Sequence, residues 1–413
     1  MRDWLKGTAV VGQSGGPTAV INQSLVGVVE GLRDGLSAVG ACTQVLGMRN
    51  GVRGMTQEDF IDLTDTHQDR LDRLACTPSA ALGSTRDKPD GPYCERILAA
   101  CKKRNVRYFF YIGGNDSSDT CRIIGEMATV TGYEMRCIHV PKTVDNDLVH
   151  NDHTPGFPSA ARYVAMACMA DFMDNISLPG IKINVIMGRH SGFLTAASAL
   201  ARRQDMGEAS SDGPQLIYVP EVAFDIDRFI AEVDAIYAKK GRCHMAVSEG
   251  ICDASGKEIG ATLIKGGQVD GHGNVQLSGS GALGDQLADL VKQRLTPLGG
   301  RPVRVRADTF GYVQRCWPDA SPIDAVEARR AGRFAARLAL EAYPGGSVTI
   351  FRTGKGYAGE EYEVEFRRVE LGDVAAKTRR MPEAFMRGTH DVSQAFLDYC
   401  RPLVGPLPTF ERF

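Results

Sequence analysis

Short apolar runs recur along this chain, each closed by glycine or a polar residue and followed by a helical pattern. They are Thr8 to Val11, Val106 to Ile112, Cys137 to Val140, Ile183 to Met187, Leu216 to Val219, Met245 to Val247 and Val348 to Phe351. Runs this short and this nearly all-apolar suit strands buried on both faces. Apolar residues spaced by three and four predict helices at Ala19 to Leu32, Pro158 to Asn175, Leu194 to Arg203, Ile226 to Lys239, Leu283 to Leu295 and Pro322 to Tyr343. Repetition of strand, turn and helix implies an α/β fold with largely parallel sheets. The 413 residues, 43% of them apolar, are enough for two such sheets, each in a domain of roughly 100 to 200 residues. No Ser/Pro-rich linker or charge run separates the halves, so the boundary is placed near residue 156, after Asp147 to Pro155. A first domain is expected over 1–156, completed by 316–360, and a second over 157–315, completed by part of 361–413.

Charge excludes some classes of partner. The formal net charge is -2 and no long Lys/Arg run occurs, which argues against nucleic acid. Met1 to Lys6 lacks an apolar leader core, and no stretch approaches about 18 uninterrupted apolar residues, so no membrane association and a cytoplasmic location are expected. Eleven cysteines, an odd number without a Cys-x-x-Cys pair, argue against a disulfide framework or structural metal; Cys121, Cys137 and Cys168 sit in apolar stretches as packing thiols. Gly266 to Gly284 has the composition of an exposed turn or hairpin.

In open parallel sheets ligands bind at the carboxyl ends of strands, and polar loops stand there. Gly12-Gln13-Ser14-Gly15-Gly16-Pro17-Thr18 joins the first strand to the first helix; it suits a phosphate cradle or a tight structural turn, and lacks a P-loop ending. Gly113-Gly114-Asn115-Asp116-Ser117 repeats the arrangement, with Ser117, Ser118 and Asp119 able to cap a helix. A carboxylate at Asp116, beside a phosphate-receptive glycine pair, would repel its ligand unless a divalent cation intervened, and Mg²⁺ is the natural one. Pro141-Lys142-Thr143-Val144-Asp145-Asn146-Asp147 places Lys142 to hold a phosphate and a carboxylate to take a hydroxyl proton, although Asp-x-Asp alone also reads as an Asx turn. An EF-hand register fails, because His150 falls where glycine is needed and Gly156 where glutamate is needed.

Met187-Gly188-Arg189 closes another strand; Arg189 suits either a transferring phosphoryl or a neighbouring carboxylate. Glu221 and Glu249, at strand ends, can accept from sugar hydroxyls or stand as solvated charges. Arg304, Arg306 and Arg315, with Tyr312 between, fit a non-reacting phosphate or carboxylate partners equally. Two motifs are discounted: Gly279 to Gly284 matches G-x-G-x-x-G in a Gly/Ser-rich segment, and His150-Asn151-Asp152-His153 reads as a solvated turn.

Taken together, Gly-Gln-Ser-Gly-Gly-Pro-Thr at 12–18, Gly-Gly-Asn-Asp-Ser at 113–117, Pro-Lys-Thr-Val-Asp-Asn-Asp at 141–147, Met-Gly-Arg at 187–189, Pro-Glu at 220–221 and Gly-Tyr-Val-Gln-Arg at 311–315 resemble the phosphofructokinase family over about residues 8 to 350. The resemblance implies two Rossmann-like three-layer domains meeting at an active cleft. It implies phosphoryl transfer to the 1-hydroxyl of fructose 6-phosphate with Mg²⁺, in a homodimer or homotetramer. By the same resemblance Asp145 is the general base, Asp147 and Thr143 support it, and Arg189 is the transition-state cation. Met187, Gly188 and Glu221 match sugar contacts, and Arg306, Tyr312 and Arg315 match 6-phosphate contacts, some lent by a neighbouring subunit. Gly15, Arg86 and Ser117 fall on the donor-phosphate side.

Donor choice rests on two departures from the ATP-using members, which usually carry glycine at the positions of Asp116 and Lys142. A carboxylate at the first obstructs and repels an α-phosphate, and an ammonium at the second holds a terminal pyrophosphate oxygen. The pair resembles the pyrophosphate-dependent branch. Asn115 stands where many relatives carry a metal-binding aspartate, so Asp116 is the expected Mg²⁺ ligand; Gly180 stands at an arginine position, with Lys182 close by. An ATP-dependent 6-phosphofructokinase, a non-catalytic sugar-phosphate-binding regulatory protein and a dinucleotide oxidoreductase are the competing readings.

Overall fold

A computed structural model describes residues 4–203, 212–263, 281–296, 300–341, 343–353 and 362–411. Residues of Met1–Ser159, Arg315–Gly356 and Glu360–Arg379 form one compact unit; those of Ala160–Gln314 and Arg380–Phe413 form a second. The described strands, in chain order, are β1 (Gly7–Gln13), β2 (Cys42–Met48), β3 (Phe60–Asp62), β4 (Val106–Gly113), β5 (Arg136–Pro141), β6 (Ile181–Ile186), β7 (Leu216–Tyr218), β8 (Cys243–Ser248), β9 (Val305–Thr309), β10 (Gly345–Thr353), β11 (Glu363–Val369), β12 (Met386–Arg387) and β13 (Asp391–Val392).

The first unit is built on a seven-stranded sheet ordered β11-β10-β5-β4-β1-β2-β3. Its central pairings are parallel, and the edge strands β3 and β11 run antiparallel. Successive β1 side chains leave opposite faces: Ala9 and Val11 join Ile21, Leu25 and Val29 on one side, and Val10 joins Ile97, Phe109 and Cys121 on the other. Both faces are therefore covered, which gives three layers. The helix Pro322–Leu338 returns to this unit because it packs along Ile21–Leu32, where Glu30 accepts from Arg329 Nε at 3.0 Å and Arg333 Nε at 2.9 Å.

The second unit carries an all-parallel sheet ordered β7-β8-β6-β9, with Ile183, Val185, Met245 and Val247 packed against Phe229, Val233, Leu287 and Val291. Every strand expected from an apolar run is present, and the fold is the expected α/β with mostly parallel sheets. Strand β2 escapes a run-based reading because Thr43, Gln44 and Gly47 interrupt it, and β11 because it is an exposed edge. The helix expected over Pro322 to Tyr343 stops at Leu338, where turns lead into Gly345 and Gly346 of β10. The 266–280 part of the expected hairpin, and with it the start of the Gly279 motif, lies outside the described residues. Among the described residues no helix is long and apolar enough to cross a membrane.

Candidate active site

Parallel pairing of β5, β4 and β1 brings three loops side by side at one end of the first sheet. Gln13 is in register with Ile112, and Gly113 with Pro141, so the Gly12, Gly113 and Pro141 loops leave adjacent strands. Cross-bonds tie them together: Ser14 N–H donates to Ile112 O at 2.9 Å, Lys142 N–H to Gly113 O at 2.9 Å, and the Ser14 and Ser117 hydroxyls are hydrogen-bonded. Gly15 takes a left-handed φ of 73°, which glycine adopts without penalty, and a Cβ there would lie 3.1 Å from Lys142 Nζ. A Cβ at Gly16 would meet the Arg315 guanidinium at 3.0 Å. Lys142 Nζ donates to Gly16 O at 2.8 Å. Thr85 O and Ser84 Oγ, just before Arg86, bond the Gly15 backbone at 2.9 and 2.6 Å.

Electrostatics follow from this crowding. Burial pushes the Lys142 ammonium down to about 7, and Arg315 and Arg86 push the same way against Asp145 and Asp147. Burial and the neighbouring Asp145 raise Asp147 well above the usual carboxylate range. Three cations thus face two carboxylates around a glycine turn, an arrangement that gains when a multiply charged anion enters. Asp116 occupies the first turn of the helix Asn115–Val130, with a side chain 56% exposed and Lys88 Nζ at 3.0 Å. That helix starts before the residues expected to cap it, because Gly114 turns the chain directly into it; Ser118 Oγ instead bonds Asn115 O at 2.7 Å and Asp119 pairs with Arg122 at 2.8 Å.

The donors here fit a hard cation. Asn115 Oδ1 is buried without a hydrogen-bond partner, while its Nδ2 reaches Asp147 Oδ2 at 3.4 Å. Asn115 Oδ1 and the Asp116 carboxylate, neighbours at the start of the helix Asn115–Val130, are oxygen donors of the kind Mg²⁺ takes alongside phosphate oxygens and water.

The Asp145–Asp147 loop is held at many points. Thr143 bridges Gly156, Asp145 N–H donates to Thr143 Oγ1 at 3.1 Å, and Thr154 N–H donates to Asn146 Oδ1 at 3.1 Å. The expected solvated turn at His150 to His153 is corrected at its end: His153 is 1% exposed. Its ring bonds Asp152 Oδ2 at 2.8 Å and Glu327 Oε2 at 2.5 Å, and Tyr362 OH donates to Glu327 Oε1 at 2.7 Å. Partners distant in sequence supply this burial, so no local pattern announces it. Burial opposes the imidazolium, but Glu327 and Asp152 outweigh it and raise His153 to about 9. A raised histidine stabilises fully below its unfolded value near 6.5, and that contribution is lost as pH climbs through about 9. Thermal melts should therefore show wild type losing about 2 to 3 kcal/mol more than His153→Gln between about pH 7 and 10. Parallel pH profiles for the two proteins would refute the assignment.

In the second unit, Met187, Gly188 and Arg189 follow β6, and Glu249 follows its neighbour β8. Gly188 has φ 128°, and a Cβ there would strike Ser191 O at 2.6 Å. Its N–H faces Glu249 Oε1 at 3.3 Å, and Ser248 Oγ donates to Gly188 O at 2.7 Å. Glu221 Oε1 accepts from Gly192 N–H and Met381 N–H, both at 2.9 Å, and burial raises its carboxyl. Arg189 lies 3.9 Å from Glu258 Oε1. Arg306, on β9, lies 3.9 Å from Asp174, and Tyr312 is half exposed. Lys182 is drawn between Asp171 and Asp308, each at 2.7 Å. Arg315, grouped by sequence with Arg306 and Tyr312, belongs to the first unit, over Gly16.

Known proteins agree with this architecture. The chain matches the Phosphofructokinase family over residues 8–339. It is 51% identical over 403 residues to a pyrophosphate--fructose 6-phosphate 1-phosphotransferase of Rhodospirillum rubrum, covering 97% of this chain and 95% of the relative. It is 35% identical to a protein of the same name from Halomonas elongata, covering 98% and 92%. A pyrophosphate-dependent phosphofructokinase from Marinobacter aquaeolei superposes with a TM-score of 0.82 at 30% identity, covering 98% of this chain and 94% of that one. Six motifs in order, two parallel-sheet units and a match spanning most of the residues lead to one conclusion: the chain belongs to the phosphofructokinase family.

Proposed function

We propose that this enzyme moves a phosphoryl group from inorganic pyrophosphate to the 1-hydroxyl of fructose 6-phosphate, giving fructose 1,6-bisphosphate and orthophosphate, and that it does so reversibly. The observation that carries the reading is the Lys142 ammonium on Gly16 O, buried between Arg315 and the Asp145–Asp147 carboxylates at the end of the first sheet. A short, doubly terminal phosphate donor adds negative charge to that of Asp145 and Asp147 and offsets the crowding of Lys142 by Arg315 and Arg86. Asp116, at the rim, sets a carboxylate against any longer polyphosphate. The names of the relatives support the same donor.

In this reading the first domain (1–156 with 316–360) takes the donor through Gly15, Arg86, Ser117 and Lys142. The second (157–315 with part of 361–413) takes the sugar through Met187, Gly188 and Glu221. Arg306 and Tyr312 hold the 6-phosphate, while Arg315, set over Gly16 in the first unit, serves the donor side. Asp145 accepts the proton of the 1-hydroxyl, with Thr143 and Asp147 fixing its loop, and Arg189 meets the charge of the transferring group. Asp116, with Asn115 Oδ1 at hand, would hold Mg²⁺, which when bound would neutralise phosphate charge. A cytoplasmic homodimer or homotetramer completes the proposal.

Reverse turnover tests it, because only a pyrophosphate-dependent enzyme consumes orthophosphate. With fructose 1,6-bisphosphate, Mg²⁺ and orthophosphate, the protein should form fructose 6-phosphate and pyrophosphate in equal amounts. Fructose 6-phosphate appearing only with ADP would overturn the donor assignment.

A further inference from the structure

Between the two acids of the Asp145–Asp147 loop, Asn146 is buried with a left-handed φ of 58°, a conformation that asparagine tolerates and most residues resist. A backbone of this kind persists only where its surroundings over-determine it. Much of that determination comes from one side chain far away in sequence. Arg379 Nε donates to Asn146 O at 2.8 Å, Nη2 donates to Asp152 O at 2.7 Å, and Nη1 donates to Asn151 O. The Arg379 backbone N–H donates to Asp147 O at 2.8 Å, and Thr378 bridges Leu148. One planar guanidinium thus binds the carbonyl inside the Asp-Asn-Asp turn and two carbonyls on the segment leaving it.

We propose that Arg379 is a positioning residue for the phosphoryl transfer: its fork, spread across the carbonyls of Asn146, Asn151 and Asp152, holds the Asp145–Asp147 turn in its working geometry. The proposal rests on the function assigned above, in which Asp145 is the base. The Arg379 guanidinium is directed at these three backbone carbonyls, so it acts on the chemical step by fixing where the carboxylate stands. A misplacement of about 1 Å costs about 10²-fold in rate. Binding of fructose 6-phosphate and pyrophosphate draws on other residues and is left nearly intact. Lysine, a point charge without a planar fork, can satisfy only part of the set.

The test compares wild type, Arg379→Lys and Arg379→Ala in kcat, KM and backbone hydrogen exchange. For Arg379→Ala, kcat should fall about 30- to 100-fold with each KM within about threefold, and guanidinium ion should restore part of it where equal sodium chloride does not. Arg379→Lys should fall between the two. Peptides covering 143–153 should exchange faster in Arg379→Ala while the remaining sheet peptides hold their protection. The proposal is overturned by kcat within about threefold of wild type, by a loss lying in KM alone, or by unchanged exchange over 143–153. Exchange is read without turnover, so a wild-type protein inactive with pyrophosphate would sink the assigned function and leave the loop measurement to decide on Arg379. Should the alanine variant not melt cooperatively, Arg379→Lys carries the same comparison.

Discussion

Replacing Asp145 by asparagine should lower kcat by about 10²- to 10⁴-fold while fructose 6-phosphate binding stays within about threefold. The amide keeps the shape of the side chain, and the loop bonds that hold it, Asp145 N–H to Thr143 Oγ1 and Thr154 N–H to Asn146 Oδ1, use other atoms. What is lost is an acceptor for the hydroxyl proton. Asp147 is a poor substitute, since burial disfavours its charged form and its Oδ2 is engaged by Asn115. Steady-state rates and calorimetric titration with fructose 6-phosphate measure the two quantities. A variant that keeps its turnover removes Asp145 from the base role, and one that loses sugar binding in proportion makes it a binding residue.

The second large effect concerns the donor. Asp116→Gly with Lys142→Gly should reduce kcat/KM for pyrophosphate by about 10²- to 10³-fold and open the site to ATP. The two substitutions act differently. Removing Lys142 takes away a buried cation seated on Gly16 O and leaves Arg315 and Arg86 as the cations close to that point. Removing Asp116 takes away a half-exposed carboxylate at the helix entrance and frees Lys88 from its 3.0 Å pairing. The Asp116 single variant should therefore keep most pyrophosphate turnover and relax exclusion of the longer donor, whereas the Lys142 variant should lose pyrophosphate affinity. Unchanged pyrophosphate kinetics in the double variant, with an unchanged melting curve, would exclude both residues from donor selection.

How much of this was readable before the structure depends on range. The β4 and β5 runs, Val106 to Ile112 and Cys137 to Val140, are nearly all apolar, broken only by Arg107 and His139, and their two loops follow from strand ends in a parallel sheet. The meeting of Lys142 with Gly15 was harder to see, because it needs the order β5-β4-β1, which no local pattern states. Arg379 and His153 lay beyond reach altogether. Arg379 looks like one basic residue among several near the end of the chain, yet its partners stand at 146, 151 and 152. His153 reads as a polar turn residue until Glu327 and Tyr362 close over it. Arg315 shows the converse: its neighbours in sequence suggest a partnership with Arg306, whereas tertiary packing sets its guanidinium against Gly16.

The central claim is that the donor is pyrophosphate, and the most direct measurement is phosphorus NMR of the purified protein with fructose 6-phosphate and Mg²⁺, run once with pyrophosphate and once with ATP. With pyrophosphate, fructose 1,6-bisphosphate and orthophosphate should grow together at equal rates, and the ATP sample should stay close to its starting spectrum. Bisphosphate formed from ATP alone, or orthophosphate released from pyrophosphate without any bisphosphate, would contradict it.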